Sequence, residues 1–276
     1  MKNILLLTDF SDNSLHAINY GINLFGNVNY TLLHAYRSPH AGASMLVSIN
    51  DVLLKEAKHG LDDFKKILTE ENPGINLTLE AFYGDAEMGV SSLCETRKID
   101  VVVMGTKGKS NIENIFIGSN VPGVVSSSKV PVIAVPNNCN LKLPKRVGLA
   151  IDFTENSDSS IFDPVISIAK KAKSEVMLFN VYDEDDMGDK PYSPQEDLQR
   201  SLLDGIFEEV DYSFHYIENE DIEKGIIDFV DRENIDMLTM ISRKYGLFKR
   251  IFHRSMTKRL AMNPNIPLLV LHETEV

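Results

Sequence analysis

The chain opens with a short apolar run, residues 4–7, that stops at Thr8-Asp9 and gives way to Ser, Asp and Asn. A continuous apolar run of this length suits a strand buried on both faces, and the polar residues after it suit a helix start. Leu15, Ile18, Ile22 and Leu24 or Phe25 then recur at helical spacing. A second strand is expected over 30–36. The next helix is expected over about 51–69, with Leu53, Leu54, Ala57, Leu61, Phe64 and Leu68 on one stripe. Asn72-Pro73-Gly74 ends it. Alternation predicts a strand at 76–82. Asp85 to Arg97 reads as a helix, 100–105 as a strand, about 119–128 as a helix and 130–135 as a last strand. Strands alternating with helices imply a parallel sheet with right-handed crossovers.

The same pattern then occurs again. At an offset of 136 positions, Asp85, Glu87, Gly89, Ile99, Asp100 and Met104 match Asp221, Glu223, Gly225, Ile235, Asp236 and Met240. Phe116, Ser119 and Pro131 match Phe252, Ser255 and Pro267 at that offset. With small gaps, "NILLLTDFSDNS" (3–14) answers "RVGLAIDFTENS" (146–157), and "YTLLHAY" (30–36) answers "EVMLFNVY" (175–182). A period as long as a small domain means duplication and not a solenoid. The polar, proline-bounded stretch 136–145 reads as the linker. The expected fold class is α/β: two tandem domains, 1–140 and 145–276, each a doubly wound five-stranded parallel sheet. Such sheets bind ligands beyond the carboxyl ends of their strands, at the point where strand order reverses.

Composition narrows the partners. The 276 residues are 43% hydrophobic and carry a net charge of −12. So acidic a chain is a poor fit to nucleic acid or an anionic membrane, whose phosphates require clustered Lys and Arg. One stretch departs from this, "RKYGLFKRIFHRSMTKR" (243–259), basic with Phe248, Ile251, Phe252 and Met256 interleaved. It reads first as an amphipathic segment with solvated charges, and second as a surface for a partner or anion. The two cysteines, Cys94 and Cys139, lie in no metal or redox spacing. The N-terminal apolar run is too short for a signal peptide, and no run approaches the ~18 residues of a membrane span. The expectation is a soluble cytoplasmic protein.

Candidate chemistry centres on residues 101–110, "VVVMGTKGKS". The tail imitates a P-loop, but the first glycine of that motif would stand at 103, which is Val. A different pattern survives: Gly105, Gly108 and then Gly118-Ser119, with Gly105 at a strand end and Ser119 at a helix start. Glycines let backbone approach an anion without an intervening Cβ, and a helix N-terminus offers free N–H donors. Lys107 and Lys109 add positive charge nearby. The alternative is a loop with convenient turns. Asp9 reads either as a ligand contact or as a helix cap, and His34 as a packed strand residue or a base. The acidic loop 183–197 fails as a calcium loop, since Pro194 falls where the twelfth-position Glu belongs. The loop 37–50 reads as a lid or an interface segment. No Ser-His-Asp order or metal-ligand cluster stands out.

Asp9 in "LLLTDFS", "LLHAY", "GTKGKSNIENIFIGS" and "VPVIAVP" together resemble the universal stress protein family, in the family's order across the first half. The resemblance implies a Rossmann-type fold of the adenine nucleotide alpha hydrolase kind, with ATP, with or without Mg, held by the glycine pattern. It implies that Thr8 and Asp9 lie by the adenosine and that Ala35 offers backbone to adenine. Met104, Gly105, Lys107 and Gly108 would flank ribose and phosphates, and Gly118, Ser119, Asn120 and Val121 would cradle the phosphate chain. Pro122-Gly123, just inside the helix, departs from an ordinary helix start. The resemblance also implies an internal pseudo-dimer, in which 130–135 (Val130 to Val135) meets 266–271 (Ile266 to Leu271), with a further homodimer open. In the second half Gly105, Gly108 and Gly118 become Ile241, Lys244 and Arg254, so no ATP is expected there, although Asp152 persists. The expected function is an ATP-binding stress-response regulator with one site. The rivals are an interaction or scaffold protein with a vestigial pocket, and a slow ATPase.

Overall fold

A computed structural model describes residues 1–38, 46–106, 120–151, 158–182, 194–242 and 265–273. The chain divides into two units, Met1–Asn137 and Asn138–Val276. The first contains β1 (Asn3–Leu7), α1 (Asp12–Phe25), β2 (Asn29–Tyr36), α2 (Leu46–Glu71), β3 (Asn76–Tyr83), α3 (Ala86–Thr96), β4 (Val101–Gly105), α4 (Asn120–Ser127) and β5 (Val132–Val135). Its strands lie in the order β3-β2-β1-β4-β5 and pair in parallel. The order reverses between β1 and β4, which places the switch point there.

The second unit repeats this plan. It contains β6 (Arg146–Ala150), a 3-10 turn (Ser159–Phe162), α5 (Asp163–Ala172), β7 (Glu175–Tyr182), α6 (Pro194–Phe207), β8 (Tyr212–Glu218), α7 (Ile222–Arg232), β9 (Met237–Ser242) and β10 (Leu268–His272). The order is β10-β9-β6-β7-β8, again parallel.

Burial explains the apolar runs. Ile4, Leu5 and Leu6 of β1 and Val101, Val102 and Val103 of β4 are fully buried, as strands covered on both faces must be. Ala57, Leu61 and Leu68 of α2 turn inward as the stripe predicts.

The residues shared between the halves have shared tasks. Asp100 accepts hydrogen bonds from the N–H groups of Lys2 and Asn3 ahead of and in β1, and Asp236 does the same for Lys145 and Arg146 at β6. Each carboxylate thus ties the first strand of its unit to the segment entering the fourth. Asp85 caps α3 by accepting from the Met88 N–H at 2.9 Å, and Asp221 caps α7 by accepting from the Lys224 N–H at 3.1 Å. Gly225 is pressed against Val181 with no room for a relaxed Cβ, and Gly89 lies close over Leu33 and Phe82.

Three local features differ from the sequence reading. Helix α2 begins at Leu46 and not near 51, so the last residues of the expected loop 37–50 are helical. Ser48 and Asn50 look like start signals, but inside a long helix they cost only tenths of a kcal/mol each. The 3-10 turn before α5 was not expected; Asp158 caps it by accepting from the Ser160 N–H at 3.0 Å. In α4, a Cβ at Gly123 would lie 2.6 Å from the Glu87 carboxylate on α3, the far end of an exposed side chain that can move aside. Residues 194–197 of the expected acidic loop 183–197 are the first turn of α6, and residues 183–193, the basic run 243–259 and Asp152 lie outside the described residues. No helix among the described residues is long and apolar enough to cross a membrane.

Candidate functional site

The switch point of the first unit is built around the turn from β1 to α1. Strand β1 pairs with β2 up to Leu7, and the Thr8 N–H still donates to the Leu33 carbonyl at 2.9 Å. There β1 leaves the sheet. Successive residues of a strand point their backbone groups to opposite sides. Leu33 faces β1, so Ala35 turns its N–H and C=O to the side that β1 has left.

A compact network holds the turn. Buried Thr8 shares a hydrogen bond with Ser14, Oγ1 to Oγ at 3.0 Å, and its Oγ1 accepts from the Phe10 N–H at 3.0 Å. Ser11, not Asp9, is the cap of α1: its Oγ accepts from the Ser14 N–H at 3.2 Å. Asp9 stands two residues earlier and accepts from both the N–H and the Oγ of Ser11 through one oxygen, Oδ1. This is an Asx turn that orients the carboxylate before the helix begins. The His34 Nδ1 lies 2.9 Å from the Thr8 carbonyl, which can only accept, so Nδ1 carries the proton. His34 is therefore a packed residue that fixes the turn.

Phe10 and Ser14 are the residues that sequence reasoning missed. Phe10 has φ +62°, a left-handed conformation that costs a bulky L-residue on the order of 1–3 kcal/mol. Its surroundings supply the compensation. The ring stacks on His34 at 4.0 Å and meets Phe64 of α2 at 5.2 Å. It sits directly over Gly60, where a Cβ would lie 2.6 and 2.7 Å from ring carbons. Nothing local in "TDFS" signals this geometry. The one hint is a glycine inside an otherwise strong helix, which costs about 1 kcal/mol unless something packs on it.

Across the switch point, Gly105 ends β4 opposite Val135, and Met104 beside it is buried. Asn120 and buried Val121 open α4. The structure thus brings Thr8, Asp9 and Ala35 to the carboxyl edge of β1 and β2 and Gly105 to the same edge of β4. Lys107, Gly108, Gly118 and Ser119 lie outside the described residues.

The sheet order and the duplication coincide with one family. The model of the universal stress protein family matches residues 1–136 and again 144–272. The chain belongs to this family. A universal stress protein of Methanocaldococcus jannaschii is 31% identical over 140 residues, 49% of this chain and 81% of that protein. Among solved structures, a universal stress protein from Archaeoglobus fulgidus has a TM-score of 0.69 at 20% identity, covering 99% of this chain and 98% of its own. A functionally unknown protein from Pseudomonas aeruginosa has a TM-score of 0.63 at 11% identity, covering 99% and 93%. At these identities the two structures speak for the fold alone.

The second universal stress protein unit fills the corresponding edge differently. Where the first unit has Leu33, His34 and Ala35, β7 has Phe179, Asn180 and Val181, all buried. Val181 packs down on α7, with its Cγ1 2.5 Å from where a Gly225 Cβ would lie. Ile241 replaces Gly105 at the end of the fourth strand. Among the described residues no group of three or more His, Cys, Asp or Glu could hold a metal ion.

Proposed function

We propose that this chain is an ATP-binding regulatory protein of the stress response, with one nucleotide site, in the unit Met1–Asn137. The observation that carries the reading is the carboxyl edge shared by β1, β2 and β4, at the point where strand order reverses. There Ala35 presents backbone where β1 has departed, Asp9 is oriented by Ser11, and Gly105 leaves the facing strand end without a side chain. The donor set fits an adenine nucleoside: a backbone N–H and C=O for a purine edge, and a carboxylate that can accept from ribose hydroxyls. The phosphates would follow toward Gly108, Gly118 and Ser119 and the N-terminus of α4, where the glycine spacing and free N–H groups suit an anion. Lys107, Asn120 and Val121 complete that set. Magnesium, in this reading, travels with the triphosphate. Binding and regulation are the function; Ser119 has no base assigned to it that would make hydrolysis its purpose.

Equilibrium dialysis with ATP tests the reading on the full chain. Wild type should bind, and Gly105→Val and Gly118→Val should each weaken binding at least about tenfold, a difference near 1.4 kcal/mol. Failure of wild type to bind, or equal binding by both variants, overturns it in favour of a pure interaction protein.

A further inference from the structure

Helix α6 of the second unit leaves an apolar face uncovered. Leu198 and Leu202, one turn apart, are 60% and 52% exposed. The core-facing side of the helix is a different one, carried by buried Gln199, Leu203 and Phe207. One further turn along the exposed stripe, Ile206 lines a groove of about 780 Å³. Ile166 and Ser167 of α5 line the same groove.

Gly205 lies on this outward side, and a Cβ placed there would meet nothing within 4 Å. A glycine inside a helix costs about 1 kcal/mol relative to alanine. Gly60, Gly89 and Gly225 each answer to a neighbour; Gly205 answers to none among the described residues. Its effect is to let a backbone approach from outside.

Charge selects the occupant. Asp197, Asp204, Glu208 and Glu209 are exposed along and just beyond the helix. The one cation within α6, Arg200, is turned away, over the rings of Phe214 at 4.8 Å and Tyr216 at 5.7 Å. Across the groove, Lys170 is ion-paired with Glu209, and Lys171 lines the groove opposite Asp163 and Glu209, so the unbalanced negative charge is that of Asp197, Asp204 and Glu208. A second copy of this chain would set the same acidic flank against itself, and an anionic membrane would be repelled. On the counterpart helix in the first unit, α2, the exposed Val52 and Ile67 stand fifteen positions apart and form no stripe, and Asp63 is ion-paired with Lys66.

We propose that the Leu198–Leu202–Ile206 face of α6 is a docking surface for a basic amphipathic helix of a partner protein. The partner's apolar stripe would cover the two leucines and pass close over Gly205. Its Lys and Arg would meet Asp197, Asp204 and Glu208.

Fluorescence anisotropy with a labelled Leu/Lys peptide of about 18 residues, five helical turns with its leucines on one face, tests this on the full chain. Wild type should bind it, and the Leu198→Ser/Leu202→Ser variant should lose at least about tenfold in affinity, as expected for central apolar anchors. Gly205→Leu should weaken binding similarly, because it fills open space without touching the core. Val52→Ser, at an exposed position on α2, should bind as wild type does. Thermal melting of each variant, expected to match wild type within a few degrees, separates loss of docking from loss of fold. Equal binding by the leucine variant, or equal binding of a scrambled peptide with no apolar face, overturns the proposal. So does sedimentation of wild type as a dimer that Leu202→Ser converts to a monomer, which would assign the face to a second copy. None of these outcomes depends on ATP binding.

Discussion

The two units share a strand order and differ at the edge where strand order reverses. In the first, the second strand carries His34 and half-buried Ala35 just before its last residue, and the fourth ends in Gly105. In the second, the corresponding residues are Asn180, buried Val181 and Ile241. The repeated residues that survive in both, Asp85, Gly89, Asp100 and their partners, cap helices, seat helices on the sheet and tie strand starts. The comparison separates two kinds of constraint. Residues that make the fold were kept twice. The small residues at that edge, Ala35 and Gly105, occur once.

The largest expected effect is on ligand stoichiometry. Isothermal titration with ATP should give one site per chain. The double variant Ala35→Val/Gly105→Ile, which gives the first unit the second's side chains, should lower affinity about 100-fold or more, near 2.7 kcal/mol. The reverse pair, Val181→Ala/Ile241→Gly, should create no second site, because the other two glycines are still missing. Two sites in wild type would end the comparison.

A stability contrast comes next. Gly225→Ala forces a Cβ against a stiff Val181 side chain at 2.5 Å, whereas Gly89→Ala meets Leu33 and Phe82 at 3.2 Å. Overpacking of the first kind costs about 1–3 kcal/mol, while alanine returns about 1 kcal/mol of helix preference. Chemical denaturation should therefore rank Gly225→Ala as clearly destabilising and Gly89→Ala as near neutral; the opposite ranking would sink the packing account.

A smaller contrast concerns Thr239, which is fully buried with no hydrogen-bond partner for its hydroxyl among the described residues. Its counterpart in the first unit is fully buried Val103. Thr239→Val should stabilise by about 1 kcal/mol and Val103→Thr should destabilise by about 1–3 kcal/mol. Stabilities that fail to move in opposite directions would mean the hydroxyl is satisfied.

The smallest effect is on thiol chemistry. Burial, with Glu95 adding to it, pushes the Cys94 thiol up to about 11, and burial pushes Cys139 up to about 12. Folding therefore favours the protonated thiols. Their contribution is intact below the ordinary thiol pKa of about 8.5 and is lost as pH rises toward 11–12. Iodoacetamide should label the folded chain slowly at pH 8, with a rate still climbing above pH 10. A labelling rate already level by pH 9 would contradict this.

Much of the site was legible in the sequence, and the rest was hidden for a physical reason. Asp9 and Gly105 stand at the ends of apolar runs, so strand periodicity alone brings them to the carboxyl edge. Phe10 follows Asp9 directly and still gave no signal, because its conformation is set by Gly60 and Phe64, some fifty residues later. The exposed face of α6 was hidden for a related reason. Leu198 and Leu202 look like core positions until the helix is docked through Gln199, Leu203 and Phe207 instead.

By itself the sequence determined the α/β class, the duplication, the strand ends and the asymmetry of the glycines. Those follow from periodicity and spacing, which are properties of the chain taken a few turns at a time. Tertiary structure alone decided that Ser11 and not Asp9 caps α1, that Phe10 is left-handed, and that Ala35 is half-buried while Val181 is packed against Gly225. Each of these depends on which side chain from a distant element reaches the site first, and only packing settles that.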